Sequence, residues 1–114
     1  MTMKRIWIKL YIAMIDDLKM AILPDWLWRR AIELFLLAGE NGDDGLLPPV
    51  EAIAWRLRIS VQRVTEALQA LAKVGVVYEA QPGAWYVADF DQLQAPMNST
   101  ERVRAHRRRK ADET

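Results

Sequence analysis

The chain contains no cysteine and one histidine, His106. The absence of cysteine excludes disulfides, thiolate nucleophiles and cysteine zinc sites, and it is typical of a cytoplasmic protein. A single histidine in a charged segment supplies neither a Ser-His-Asp triad nor a histidine-rich metal site. We therefore expect a cytoplasmic protein that is not an enzyme and that carries no metal or cofactor.

Phosphate-binding loops and long apolar runs are also missing. The 5 glycines are spaced as helix ends and turns rather than as a Gly-rich loop. No apolar run approaches the roughly 20 residues of a membrane helix. The apolar stretch near the amino terminus contains Lys9, ends in Asp16 and Asp17, and has no small-residue cleavage site, unlike a signal peptide. With 114 residues, of which 52% are hydrophobic, the chain has the length and composition of one globular domain.

The formal net charge of +1 conceals an uneven distribution of charge. Residues 1–100 carry 10 basic and 12 acidic side chains, whereas residues 101–114 carry 6 basic and 3 acidic ones. A basic block without acids predicts an arm that contacts the phosphates of nucleic acid. A solvated end without a partner is the alternative. The bases of this tail are Arg102, Arg104, Arg107, Arg108, Arg109 and Lys110.

Apolar periodicity predicts the elements of the amino-terminal half. Alternation from Ile6 to Ile12 predicts a strand whose outer face carries Trp7 and Tyr11. Asp16 and Asp17 are expected to cap a short helix through Ala21. A long helix is then expected to open at Pro24 and to run to Ala38, with Gly39 as its stop. Its buried stripe is predicted to contain Leu27, Ala31, Leu34 and Ala38.

The carboxyl-terminal half predicts two helices joined by a tight connector and followed by a hairpin. A very short extended segment, Leu46–Leu47, precedes a helix from Val50 to Leu57, and Ser60 is expected to cap a second helix from Val61 to Val74. The inward residues of the second helix are predicted to be Val61, Val64, Leu68 and Leu71. Short strand signals at residues 76–78 and 85–87 flank Gln81-Pro82-Gly83. Phe90, Leu93 and Met97 are expected to pack the hairpin on the body.

This order of elements predicts a winged helix-turn-helix: a mostly α fold with a small β wing. We expect the domain to cover residues 1–97 and a basic tail, helical or disordered, to cover residues 98–114. An unrelated small α+β domain is the alternative.

Seven segments of the sequence, taken in order, carry a resemblance to a known family: Trp7-Ile8-Lys9-Leu10-Tyr11, Leu23-Pro24-Asp25-Trp26-Leu27-Trp28, Gly45-Leu46-Leu47-Pro48-Pro49, Ile53-Ala54-Trp55-Arg56-Leu57, Trp85-Tyr86-Val87-Ala88-Asp89-Phe90, Gln94-Ala95-Pro96 and Glu101-Arg102-Val103-Arg104-Ala105-His106-Arg107. Together they resemble the amino-terminal winged-helix domain of phage replisome organisers, relatives of the DnaD-type primosomal proteins. The resemblance implies a role in replication initiation on phage or bacterial DNA, with the winged helix often used for self-association. Such initiators usually continue into a further domain, and the resemblance does not extend to the recruitment of a helicase loader.

Two roles are open for the helix from Val61 to Val74. The second helix of a helix-turn-helix enters the major groove, where glutamine can read adenine and arginine can read guanine. The stretch from Val74 to Glu101, however, has no lysine or arginine to hold a phosphate. We expect most DNA affinity to lie in the tail and favour a scaffold or dimer module over a base reader. The candidate readers are Gln62, Arg63, Gln69 and Lys73.

The aromatic content suggests an interface. The chain has 5 tryptophans, many for its length, and aromatic residues are enriched at protein interfaces. Trp7, Tyr11 and Trp26 are the candidates for self-association as a homodimer or larger assembly. A different class of function is also open: a protein-interaction module, such as a phage-encoded adaptor, regulator or inhibitor, that binds another replication or host protein. We expect no membrane partner.

Overall fold

A computed structural model describes residues 6–40 and 42–94. This part of the chain is rich in helix and contains one two-stranded antiparallel sheet, as the sequence predicts. The elements are a 3₁₀ helix (Ile12–Asp16), α1 (Leu18–Ala21), α2 (Asp25–Glu40), α3 (Val50–Leu57), α4 (Val61–Lys73), β1 (Val77–Gln81), β2 (Ala84–Val87) and α5 (Phe90–Gln94).

Helix α2 begins where predicted and continues past its predicted end. The carbonyl of Pro24 accepts the amides of Leu27 (2.9 Å) and Trp28 (3.0 Å), which closes the first turn. The predicted stop at Ala38 is wrong, because Gly39 is helical and α2 ends at Glu40. A Cβ at Gly39 would overlap Cγ2 of Ile8, so this glycine permits close packing instead of ending a helix. The predicted stripe is confirmed: Leu27, Ala31, Leu34 and Ala38 are all buried.

The pair α3 and α4 forms close to the predicted bounds. Arg58 adopts a left-handed conformation (φ 58°) that ends α3, and the hydroxyl of Ser60 accepts the amide of Arg63 at 3.1 Å. Gly75, at φ +81°, follows α4 and lets the chain turn towards the hairpin. The prediction that Val61 faces inward is wrong: it is 46% exposed, because the buried stripe of α4 starts one turn later, at Val64.

The sheet is a hairpin extended by the segment that precedes α3. Tyr78 pairs with Tyr86, and the tight turn at Gly83 (φ +84°) joins the strands. Leu46 forms a bridge to Tyr86, and the amide of its neighbour Leu47 donates to the carbonyl of Trp85 at 2.9 Å. The predicted extended segment therefore lies on the other side of β2 from β1.

The amino-terminal segment differs from its prediction. Residues 6–11 form no strand within the described chain, and the next five residues form a 3₁₀ helix. The side chain of Gln94 takes the place of a partner strand: its Oε1 accepts the amide of Lys9 (2.8 Å) and its Nε2 donates to the carbonyl of Lys9 (2.9 Å). Ile12, predicted to face inward, is 89% exposed. Alternating apolar residues make a strand only beside another strand, and residues 6–11 pair with neither β1 nor β2.

Candidate nucleic-acid interface

The exposed face of α4 contains three of the four predicted readers. Gln62, Gln69 and Lys73 are exposed and recur at helical spacing, so they form one stripe. Glu66 lies in the same stripe, and its carboxylate accepts a hydrogen bond from the Gln62 amide at 3.3 Å. A carboxylate in the middle of this face opposes the approach of phosphate.

Arg63 lies apart from that stripe. It follows Gln62 by one residue, so it is turned by roughly 100° around the helix axis. Arg63 and Gln69 are therefore both exposed, but they lie on different faces of α4. Beside them, the hydroxyl of Thr65 donates to the carbonyl of Val61 at 2.9 Å and is engaged within the helix itself.

Charge distinguishes residues 52–65, which span most of α3, the connector and the start of α4, from the hairpin. Residues 52–65 contain 3 arginines and no acid, whereas residues 76–94 contain 3 acids and no base. Arg56 donates two hydrogen bonds to the carboxylate of Glu40 at the end of α2, one of them at 3.0 Å, and this carboxylate raises the pKa of the Arg56 guanidinium. Within the described residues, the side chains of Arg58 and Arg63 make no hydrogen bond or ion pair. These two arginines are therefore available to an anionic ligand.

The hairpin has a different chemistry. The rings of Tyr78 and Tyr86 stack with their centroids 5.5 Å apart and an interplanar angle of 12°. The carboxylate of Glu79 accepts the amide of Gly83 at 2.8 Å, so this acid stabilises the turn. Because residues 76–94 contain no base, the hairpin offers no charged donor to a phosphate.

Trp55 on α3 is a surface residue that apolar periodicity does not identify. It follows the buried residues Ile53 and Ala54, but it is itself 80% exposed. It lies one turn before Arg58. The only signal for it in the sequence is its place in the acid-free run of residues 52–65.

The three self-association candidates are all exposed: Trp7 by 64%, Tyr11 by 47% and Trp26 by 54%. Trp7 and Tyr11 do not lie on the face of a strand, since residues 6–11 form none. They belong instead to a run of exposed apolar residues between Ile6 and Ile22, called here the amino-terminal apolar surface. It contains 8 of the 13 large hydrophobic side chains that are exposed in the described chain: Ile6, Trp7, Leu10, Tyr11, Ile12, Ile15, Leu18 and Ile22.

Other residues singled out by the sequence are not described by the structure. The six bases of the tail, from Arg102 to Lys110, and Met97 lie outside the described residues.

Across residues 6–40 and 42–94, no helix combines the length and hydropathy needed to cross a bilayer. No protein-family model, curated protein or solved structure matches this chain.

Proposed function

We propose that the chain is a DNA-binding winged-helix protein of the phage replication-initiation type, similar to replisome organisers. The observation that carries the proposal is the order of α3, a short connector, α4 and the hairpin, with Leu46 paired beside β2. This is the arrangement expected of a helix-turn-helix unit followed by a wing. The resemblance of the sequence to phage replisome organisers supports the role in replication.

The tail, rather than α4, is proposed to provide most of the DNA affinity. Glu66 lies in the exposed stripe of α4, and residues 76–94, which include the hairpin, carry three acids without a base. The tail, by contrast, has six bases between Arg102 and Lys110, and arginine forms paired hydrogen bonds with phosphate. The body then acts as a scaffold that presents the tail, with Arg63 and Gln69 contributing little to sequence reading.

Self-association is proposed to occur through the amino-terminal apolar surface, with a second copy of this chain as the partner. Contiguous exposed apolar side chains are uncommon on a monomer and are typical of interaction sites. Trp7 and Tyr11 lie in this surface, and Trp26 follows it in the chain. A dimer would place two basic tails on one DNA molecule, which raises the overall affinity.

A protein-interaction module is the second candidate function. It is favoured by the acids of residues 76–94 and by the stacked pair of Tyr78 and Tyr86, because aromatic residues often provide the binding energy of protein interfaces. In this case the tail would contact an acidic protein surface rather than DNA.

A salt titration distinguishes the two functions. Binding of the full chain to a random duplex is measured at increasing salt, beside a variant that lacks residues 101–114 and a matched body variant, Arg63→Ala. If all six tail bases meet phosphates, log K falls with log salt with a slope of about −5. The truncated protein is expected to lose most of its affinity and of this slope, whereas Arg63→Ala is expected to behave as the wild type. Equal affinity and slope in the truncated protein would contradict the role of the tail, and no binding of the wild type to DNA would favour the protein-interaction module.

A further inference from the structure

Trp55 is highly exposed although the residues that precede it in α3 are buried. Its side chain is 80% exposed, the highest fraction among the exposed tryptophans, while Ile53 and Ala54 beside it are buried. Burial of the large apolar surface of an indole against another molecule is favourable, and an indole in water lacks this stabilisation. Most of the surface of Trp55 is therefore available to a ligand.

The charges around Trp55 indicate an anionic ligand. Arg58 follows it by one turn, and Arg63 lies in the first turn of α4, beyond the connector. No acid occurs between residues 52 and 65. Glu51, one turn before Trp55, is the nearest acid on the same side of α3, and it lies away from the two arginines.

An exposed aromatic ring in α3, followed in the chain by two exposed arginines whose side chains have no hydrogen bond or ion pair within the described residues, suits an unstacked base joined to phosphates. In a duplex both faces of each base are covered by its neighbours, so an indole on a helix surface cannot stack on them. In a single strand the bases are free to stack on an aromatic side chain while cations contact the backbone. We propose that Trp55, Arg58 and Arg63 form a binding surface for single-stranded DNA, with Trp55 stacking on a base; this rests on the proposed function that the chain binds DNA.

This surface is separate from the proposed role of the tail. The tail contacts phosphates, which duplex and single strand both have. Trp55 discriminates between the two forms, because only the single strand exposes the face of a base. The chain would then bind duplex through its tail and a melted strand through α3 and the connector, as the opening of DNA at a replication start requires.

The test measures binding of the full chain to a short oligothymidylate and to a hairpin duplex, by fluorescence anisotropy at one salt concentration. Trp55→Ala is expected to weaken binding of the single strand by roughly 5- to 150-fold, the range that base–aromatic stacking covers on alanine substitution. Trp55→Phe is expected to retain most of the affinity, and Arg58→Ala to lower it less than Trp55→Ala does. Binding of the duplex is expected to change less than about twofold, since no duplex contact of Trp55 is lost. Tyr78→Ala, at an exposed aromatic residue outside the proposed DNA-binding and self-association surfaces, is the matched control and is expected to bind as the wild type does.

Two further readouts make the result specific. Stacking quenches indole fluorescence, so the wild type is expected to be quenched by the oligothymidylate more than Trp55→Phe is. Circular dichroism and sedimentation of Trp55→Ala without DNA are expected to match the wild type, since the side chain is exposed. A change in sedimentation would assign Trp55 to a protein interface and would overturn the proposal.

The outcomes also distinguish this inference from the proposed function. If the duplex binds through the tail but Trp55→Ala binds the single strand as well as the wild type does, the inference is wrong and the proposed function is retained. If the single strand binds with a dependence on Trp55 while deletion of the tail has no effect, the inference is supported and the role of the tail is wrong. If neither DNA binds, both are wrong.

Discussion

Residues 6–22 and residues 50–74 show how differently two apolar regions of one chain can be used. In residues 50–74 the apolar side chains form stripes, and Ile53, Val64 and Leu68 are almost completely buried. In residues 6–22 only Met20 is buried, although isoleucine, leucine and tryptophan are abundant there. Hydrophobic composition therefore does not decide burial, which requires a facing surface of matching shape.

The two regions also differ in how they contact the rest of the protein. Helix α4 packs against α3, α2 and β1. Residues 6–11 are attached through a few side chains: Ile8 against Gly39, and the amide of Gln94 against the backbone of Lys9. A cavity of about 240 Å³ lies beside this segment, lined by Tyr11, Met14 and Phe90 among others. We expect the segment to open at lower free energy than the helices do.

The largest effect is expected from a change in the core of α4. Leu68 has no exposed surface, so Leu68→Ala removes buried volume and is expected to lower the free energy of unfolding by about 2–5 kcal/mol. Urea denaturation followed by circular dichroism measures this value. Gln69→Ala, the exposed neighbour, is the control and is expected to lie within about 0.5 kcal/mol of the wild type. A loss below about 1 kcal/mol for Leu68→Ala would mean that the helices are not the more tightly packed region.

An intermediate effect is expected from the amino-terminal apolar surface. Trp7→Lys is expected to weaken self-association by about tenfold or more, because a tryptophan at the centre of an interface commonly contributes on the order of 2 kcal/mol. Sedimentation equilibrium measures the change. Trp55→Lys is the matched control outside this surface and is expected to leave self-association intact. A wild type that stays monomeric at high concentration would show that exposure in residues 6–22 has another cause.

The smallest effect concerns the contact that joins the two regions. Gly39→Ala alone forces Ile8 to move, which offsets the gain in helix propensity of about 1 kcal/mol from replacing glycine. In an Ile8→Ala background the overlap with Cγ2 is removed, so the same substitution is expected to stabilise the protein by about 1 kcal/mol. Thermal denaturation of the four proteins in this double-mutant cycle measures the coupling. Equal effects in both backgrounds would show that Ile8 does not pack on Gly39.

Local signals explain why α3, α4 and the hairpin could be predicted. Ser60 caps α4 through a hydrogen bond within one turn, and Gly75 supplies a backbone conformation that few other residues adopt. Such signals act between neighbours in the sequence, so they can be read without the fold. The exposure of Val61 could not be predicted, because helical spacing places it with Val64 and Leu68 and only the packing of the neighbouring elements shows where the buried stripe starts.

The sequence predicted which residues are exposed at the candidate site better than it predicted how they are arranged in space. Gln62, Arg63, Gln69 and Lys73 are exposed on α4 as expected, but the hydrogen bond from Gln62 to Glu66 and the offset of Arg63 required the folded helix. The exposure of Trp55 and the pairing of Arg56 with Glu40 depend on contacts between residues distant in sequence.

By itself, the sequence determined the helical content, the caps and turns, the hairpin, and the separation of a basic tail from an acidic hairpin, because these follow from local backbone preferences and from composition. Only the tertiary structure decided whether the alternating segment from Ile6 to Ile12 became a strand, whether Gly39 ended α2, and which apolar residues stayed in water. Each of these depends on a partner far away in the chain. Gln94 satisfies the backbone of Lys9, Ile8 packs on Gly39, and Leu46 occupies the edge of the sheet. Such contacts depend on which surfaces of the whole folded chain pack together, so they cannot be predicted from a short segment of the sequence.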